Sequence, residues 1–204
     1  MPRFVYKSFV LDSRYIFEID REVILFTQQR GKLKTIGRGG AKIPNRFGSA
    51  ISPFSLVEAT VWESWKGGLT LETTELIIPG FLFITNPYLY PYLSSLQEVL
   101  LILLPENLPR EKVFRLLEKS IKYIRENPVA LSFYILYWAL KLEGFPVDKK
   151  ISRTLREKLK LPPSEFSKIR ISSPLFVSLL GKVEYFLSRK LNSLVYLKSF
   201  LNIL

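Results

Sequence analysis

Residues 4–11 are rich in aromatic and β-branched side chains. Residues 15–20 alternate, with Tyr15, Phe17 and Ile19 on one side and Ile16, Glu18 and Asp20 on the other. A period of two predicts extended backbone, because successive strand side chains point to opposite faces. A short apolar run at 23–27, the turn Gln28-Gln29-Arg30-Gly31 and a third strand over 31–38 follow. Segments 54–64 and 69–78, joined by Lys66-Gly67-Gly68, complete the pattern. Five strands' worth of alternation within eighty residues, without a long helical period, predicts a small closed barrel. The commonest five-stranded solution is the OB-fold, which binds oligonucleotides across one face and its loops.

Beyond Pro79-Gly80 the period becomes helical. Segments 88–104, 110–125 and 129–143 are separated by Pro105, Pro109, Asn127-Pro128 and Gly144-Phe145-Pro146, which match helix start and stop signals. The third of these is apolar nearly all round and is expected at the centre of a bundle. Segments 152–160, 164–170 and 174–200 supply further helices, the last broken near 189–193. The expected fold class is therefore α+β: an OB-fold domain over 1–80, then an all-α domain over 81–204.

Charge changes the picture. Thirty Lys+Arg against eighteen Asp+Glu give +12. Residues 148–204 hold twelve basic and four acidic side chains, and residues 30–46 hold six cations with no acid. Two separated basic surfaces point to a polyanion, since displacing condensed counterions from nucleic acid rewards such clusters. Cysteine and histidine are both absent, which removes disulfides, Cys/His zinc sites, thiol nucleophiles and histidine bases. No membrane span is expected: the uncharged run 76–97 carries three prolines, and the apolar run 129–140 is shorter than the roughly 20 residues a bilayer crossing needs. The opening seven residues lack the apolar stretch of an export signal, so a cytoplasmic protein is expected.

On the third strand, Lys32, Lys34, Ile36 and Arg38 share one face, a row of cations that runs into Gly39-Gly40-Ala41-Lys42-Ile43-Pro44-Asn45-Arg46-Phe47. Glycines let backbone N–H groups approach phosphate, Lys42 and Arg46 add charge, and Phe47 offers a ring for a base. Trp62 shares the more polar face of the fourth strand with Glu58 and Thr60 and is a second stacking candidate. Packing against the second domain is the alternative for both rings. The glycine segment has neither the last glycine of a dinucleotide fingerprint nor the Gly-Lys-Ser/Thr ending of a P-loop. Glu18, Asp20 and Glu22 would share a face if that strand stayed extended, and three carboxylates suit Mg²⁺; a solvated edge or turn explains them more cheaply. In the helical half, Phe133, Tyr137 and Lys141 form one stripe, and a groove edged by Lys141 and Arg125 would suit an acidic-aromatic peptide. Core packing is the other role open to Phe133.

The segments Ser13-Arg14-Tyr15-Ile16-Phe17-Glu18-Ile19-Asp20, Gly31-Lys32, Arg38-Gly39 and above all Arg46-Phe47-Gly48-Ser49-Ala50-Ile51-Ser52-Pro53-Phe54-Ser55 resemble the bacterial RecO family. The likeness continues at Gly68-Leu69-Thr70-Leu71, Leu142-Glu143-Gly144-Phe145-Pro146 and Arg189-Lys190-Leu191-Asn192-Ser193. It implies a non-enzymatic mediator of DNA repair and recombination with no cofactor. Such a protein binds single- and double-stranded DNA and anneals complementary strands. With RecR it assists RecA loading onto DNA covered by single-strand-binding protein (SSB), whose acidic C-terminal tail the helical domain recognises. Arg189 and Lys190 join the DNA-binding set on this likeness. The sequence departs from the family in two places. The four-cysteine zinc site of many members is missing, and Phe17 stands where a glycine is usual. An OB-fold RNA-binding protein, a protein adaptor without catalysis and a Mg²⁺ nuclease are the competing expectations.

Overall fold

The computed structural model describes residues 2–42, 44–188 and 191–201. Its strands are β1 (Arg3–Tyr15), β2 (Arg21–Thr27), β3 (Gly31–Gly37), β4 (Leu56–Glu63) and β5 (Leu69–Ile78). Antiparallel ladders join β1 to β2, β2 to β3, β4 to β5 and β4 back to β1. A short parallel contact, Ile36 with Thr70 and Gly37 with Leu71, closes the barrel in the order β1-β2-β3-β5-β4. The long β1 can serve both neighbours because a register shift between Val10 and Asp12 bends it. The alternation read from sequence sets the inside of the barrel: Val57, Ala59 and Val61 of β4 are fully buried with Val23, Leu25, Leu33 and Leu71. One expected strand does not form. Residues 16–20 are a bent loop between β1 and β2, and their alternating apolar residues face solvent.

The chain divides into two compact units, Met1–Thr85 with Leu104–Phe114, and Asn86–Leu103 with Arg115–Leu204. The strap 104–114, which hydropathy groups with the helices, thus belongs to the barrel unit. The Asn107 N–H donates to the Lys32 carbonyl at 3.0 Å, and Lys32 bridges to Glu106. Phe114 anchors the strap, its ring centroid 5.3 Å from Phe9 and 5.6 Å from Phe26. Gly31 makes room for it. A Cβ there would lie 2.1 Å from the Leu108 carbonyl oxygen, and φ is +74°.

A short helix α1 (Phe81–Ile84) ends the first run of the barrel unit. Then come α2 (Tyr90–Leu103), α3 (Glu111–Ser120), α4 (Pro128–Leu142), α5 (Arg153–Lys158), α6 (Pro163–Phe166), α7 (Ser173–Leu187) and α8 (Asn192–Leu201). Helix α4 starts where the sequence signals it. The Asn127 side chain accepts the Ala130 N–H at 3.0 Å, and Pro128 sits in the first turn, where its missing N–H costs nothing. Buried on nearly every face, α4 packs against α2, α6 and α7, and α2 against α8. Helix α7 stops at Leu187 and α8 begins at Asn192, as the expected break requires.

Candidate nucleic-acid interface

At the end of the barrel where β2 begins and β3 stops, a cleft of about 570 Å³ opens to solvent. Phe17, Ile19 and Ile36 supply its apolar wall, and Arg38, Lys42 and Arg46 its cations. The loop 16–20 is held against the glycine segment by two hydrogen bonds. Asp20 Oδ1 accepts the Gly39 N–H at 2.8 Å, and the Ile19 carbonyl accepts the Ala41 N–H at 3.0 Å. Arg21 lies 4.2 Å from the centre of the Tyr15 ring and fixes the base of the loop. Phe17 is nevertheless 66% exposed, a flat apolar surface left open to water beside three cations.

The expected phosphate cradle works differently from its sequence reading. The N–H groups of Gly39, Gly40, Ala41 and Lys42 are all taken, by Asp20, Gly37, Ile19 and Gly39 respectively. Side chains, not amides, are what this segment offers an anion. Among the described residues, Arg38 and Lys42 are exposed and meet no carboxylate. The Arg46 guanidinium donates to the Glu72 carbonyl and covers the Phe47 ring at 5.0 Å.

Four sequence expectations change. Lys32 is not part of an exposed row: the strap leaves it 8% accessible, and burial draws its ammonium below the ordinary value despite the carboxylate of Glu106. Lys34 remains on the outer face, ion-paired with Glu106 at 2.6 Å. Phe47 is 5% exposed within the barrel core and has no face to offer a base. The carboxylate trio also dissolves, since Glu22 accepts from Arg14 Nε at 2.7 Å while Asp20 is committed to Gly39. No group of acids that could hold a metal ion occurs among the described residues. Trp62 is half-buried on the outer face of β4, opposite Arg3 and Thr70 and outside the cleft lining.

The helical unit has its own basic cleft, of about 330 Å³, lined by Tyr137, Trp138, Lys141, Asp148, Arg153, Arg156, Glu157 and Lys160. Asp148 organises one wall, accepting from the Tyr137 hydroxyl at 2.5 Å and from Lys141 Nζ at 2.9 Å. Tyr137 and Lys141 therefore meet as the stripe predicts. Phe133 is fully buried in the core instead, and Arg125 is exposed outside the lining. Arg189 and Lys190 lie outside the described residues.

The Tyr137 hydroxyl and the Lys141 ammonium hold the Asp148 carboxyl below its ordinary 3.8, while the Asp148 hydrogen bond raises Lys141 above 10.5. The carboxylate's contribution to stability is present above pH 3.8 and lost only as pH falls through its lowered value. That of Lys141 is present below pH 10.5 and lost as pH rises through its raised value. In carbon-detected NMR, Asp148 is expected to titrate below 3.8 and to move upward in Tyr137→Phe. An unchanged midpoint in the variant would remove the hydroxyl from this account.

Known proteins match the barrel strands by family model and a longer stretch of the chain by pairwise similarity. A family model described as "Recombination protein O N terminal" covers residues 1–78, which is β1 through β5. The chain is 29% identical over 132 residues to DNA repair protein RecO of Syntrophobacter fumaroxidans, covering 64% of this chain and 52% of that one. It is 26% identical over 136 residues to the RecO of a Thermoanaerobacter species, covering 67% and 54%. Over residues 1–78 the chain is similar to the N-terminal domain of the RecO family, and these relatives are all RecO proteins. It spans about half the length of the curated RecO relatives it matches. No described helix is long and apolar enough to cross a membrane.

Sequence reasoning passed over Trp65 in the β4–β5 turn, 89% exposed, and the exposed rings of Tyr15 and Phe17. The signal for Trp65 was its place beside Lys66-Gly67-Gly68, which the sequence reads as a turn. Arg153, Arg156 and Lys160 were also missed. Their spacing of three and four places them on one side of the α5 segment, facing the cleft.

Proposed function

We propose that this chain is a DNA repair and recombination protein that works by binding strands rather than by catalysis. The observation that carries the reading is the barrel cleft, in which exposed Phe17 lies beside Arg38, Lys42 and Arg46. Cations neutralise phosphates while bases rest on the apolar wall, the combination that single-strand binders use. Neutralising two strands at once lowers their mutual repulsion, so complementary bases meet more often and anneal. No bond is made or broken in this scheme. Single- and double-stranded DNA are both ligands, the duplex through its phosphates alone.

The basic cleft of the helical unit suits an acidic peptide: Lys141, Arg153, Arg156 and Lys160 outnumber Asp148 and Glu157, and Trp138 shares the lining, its ring centre 5.4 Å from Lys141 Nζ. The C-terminal tail of SSB has that chemistry. On this reading the protein, with RecR, clears the way for RecA on SSB-covered DNA in the bacterial cytoplasm, at the nucleoid. The direct test mixes two complementary fluorescent oligonucleotides with and without the chain and follows their energy transfer. Acceleration of pairing supports the reading, and an unchanged rate defeats it. A competing RNA oligonucleotide of the same sequence tests the preference for DNA.

Lys34 supplies a smaller prediction. An exposed ion pair is worth about 0–1 kcal/mol, so Glu106→Gln, which frees Lys34 for phosphate, is expected to tighten oligonucleotide binding by up to about fivefold. The slope of log affinity against log salt should steepen by about 0.7, as one further phosphate contact requires. Weaker binding in this variant would mean that Lys34 lies off the strand's path.

A further inference from the structure

The turn between β4 and β5 displays a large aromatic ring to water on a stiff support. The Ser64 N–H donates to the Gly68 carbonyl at 2.9 Å, the Gly67 N–H to the Ser64 carbonyl at 2.9 Å, and the Gly68 N–H to Ser64 Oγ at 3.0 Å. Gly67 takes φ +78°, which closes the turn at no steric cost. Three bonds across five residues leave Trp65 little freedom to fold back, and it is 89% exposed. Exposing this much indole is unfavourable in water, and tryptophan is a side chain that interfaces favour.

The surroundings say what covers it. Residues 69 and 70 follow the turn directly, and Thr70 pairs with Ile36, a wall residue of the cleft. One strand spacing, about 4.8 Å, therefore carries the surface from the cleft to the root of the turn. Lys66 follows the ring in sequence. The nearby carboxylates are already answered: Glu63 by Arg30 at 3.1 Å, and Glu72 by Arg3 at 2.8 Å from both guanidinium nitrogens. A polyanion passing this way meets unbalanced Lys66 and the cleft cations, while acids close by are neutralised.

We propose that Trp65 is a stacking post for an unpaired base, extending the strand's path from the cleft to the β4–β5 turn and setting the preference for single-stranded over double-stranded nucleic acid. The proposal rests on the nucleic-acid reading of the barrel. Stacking needs a free base face, which a duplex withholds, whereas phosphate contacts serve both forms equally. Trp65 thus discriminates where Arg38, Lys42 and Arg46 do not.

The test measures the affinity of the full chain for a thymidine oligonucleotide and for a hairpin duplex, in wild type, Trp65→Ala and Trp65→Phe. Trp65→Ala is expected to weaken single-strand binding about 10-fold, within the range for loss of one stacked base, and to leave duplex affinity unchanged. Trp65→Phe should restore most of the single-strand affinity while losing the quenching of tryptophan emission that the oligonucleotide causes in wild type. Equal affinities in wild type and Trp65→Ala overturn the proposal, and so does an equal loss on both ligands. Failure of the wild type to bind either ligand instead defeats the reading of the barrel itself. Because the side chain packs on nothing, circular dichroism melts of all three proteins should coincide.

Discussion

Reversing Arg38, Lys42 and Arg46 together to glutamate is expected to weaken oligonucleotide binding about 100-fold or more and to abolish strand annealing. Arg38 and Lys42 extend from the cleft rim without a carboxylate partner among the described residues. Each cation placed on a phosphate contributes about 0.7 to the salt slope for a single strand. Removing three should flatten that slope by about 2, and three introduced acids add repulsion. The fold should survive, because none of the three side chains is buried and surface substitutions of this kind shift stability by only about 0.5 kcal/mol each. Arg46 carries the one structural debt, its bond to the Glu72 carbonyl and its cover over Phe47. Fluorescence anisotropy across a salt series, with a thermal melt as control, decides the matter. A variant that melts normally and still anneals would move the binding surface away from this end of the barrel.

The largest effect on stability is expected from Phe114→Ala. The ring is fully buried and lies against both Phe9 and Phe26. Truncating such a phenylalanine costs about 3–5 kcal/mol, a large part of the 5–15 kcal/mol typical of a whole domain. For a chain of this size the melting temperature should fall by about 10 °C. The loss has a location as well as a magnitude. Without its anchor the strap 104–114 should lift from β3, exposing the Asn107 amide that now bonds to Lys32. Hydrogen exchange at Asn107 should accelerate well before the strands of the barrel open. Uniform acceleration across the barrel would show that Phe114 supports the whole core rather than the strap.

The barrel was legible because its alternation is local. Val57, Ala59 and Val61 alternate with Glu58, Thr60 and Trp62 and line the interior, and Leu33 and Thr35 alternate with Lys32 and Lys34 and are buried. Helix α4 was legible for the same reason, since its cap, proline and apolar surface are all contained within residues 127–142. What failed was non-local. Lys32 reads as an outward cation, and it does point away from the barrel interior, but a strap seventy residues later in the chain covers it. Phe47 reads as a loop aromatic, yet the loop folds inward as a plug for the barrel end. Residues 15–20 misled in the opposite sense. Beyond Tyr15, where β1 ends, the period of two comes from aromatic and apolar side chains displayed on a loop, so the pattern is genuine there and its cause is not a strand. The cleft itself was half legible: Arg38, Lys42 and Arg46 come from composition, whereas Phe17 and Ile19 join them only through the Asp20–Gly39 bond.

The glycine segment with its four internally satisfied amides has a kinetic consequence. A nest of backbone donors would grip each phosphate at a fixed spot and make release slow. Long cationic arms instead follow their counter-charge with little geometric demand, so a strand held here can creep forward by a nucleotide while most of its contacts persist. A surface of that kind favours rapid exchange over long residence.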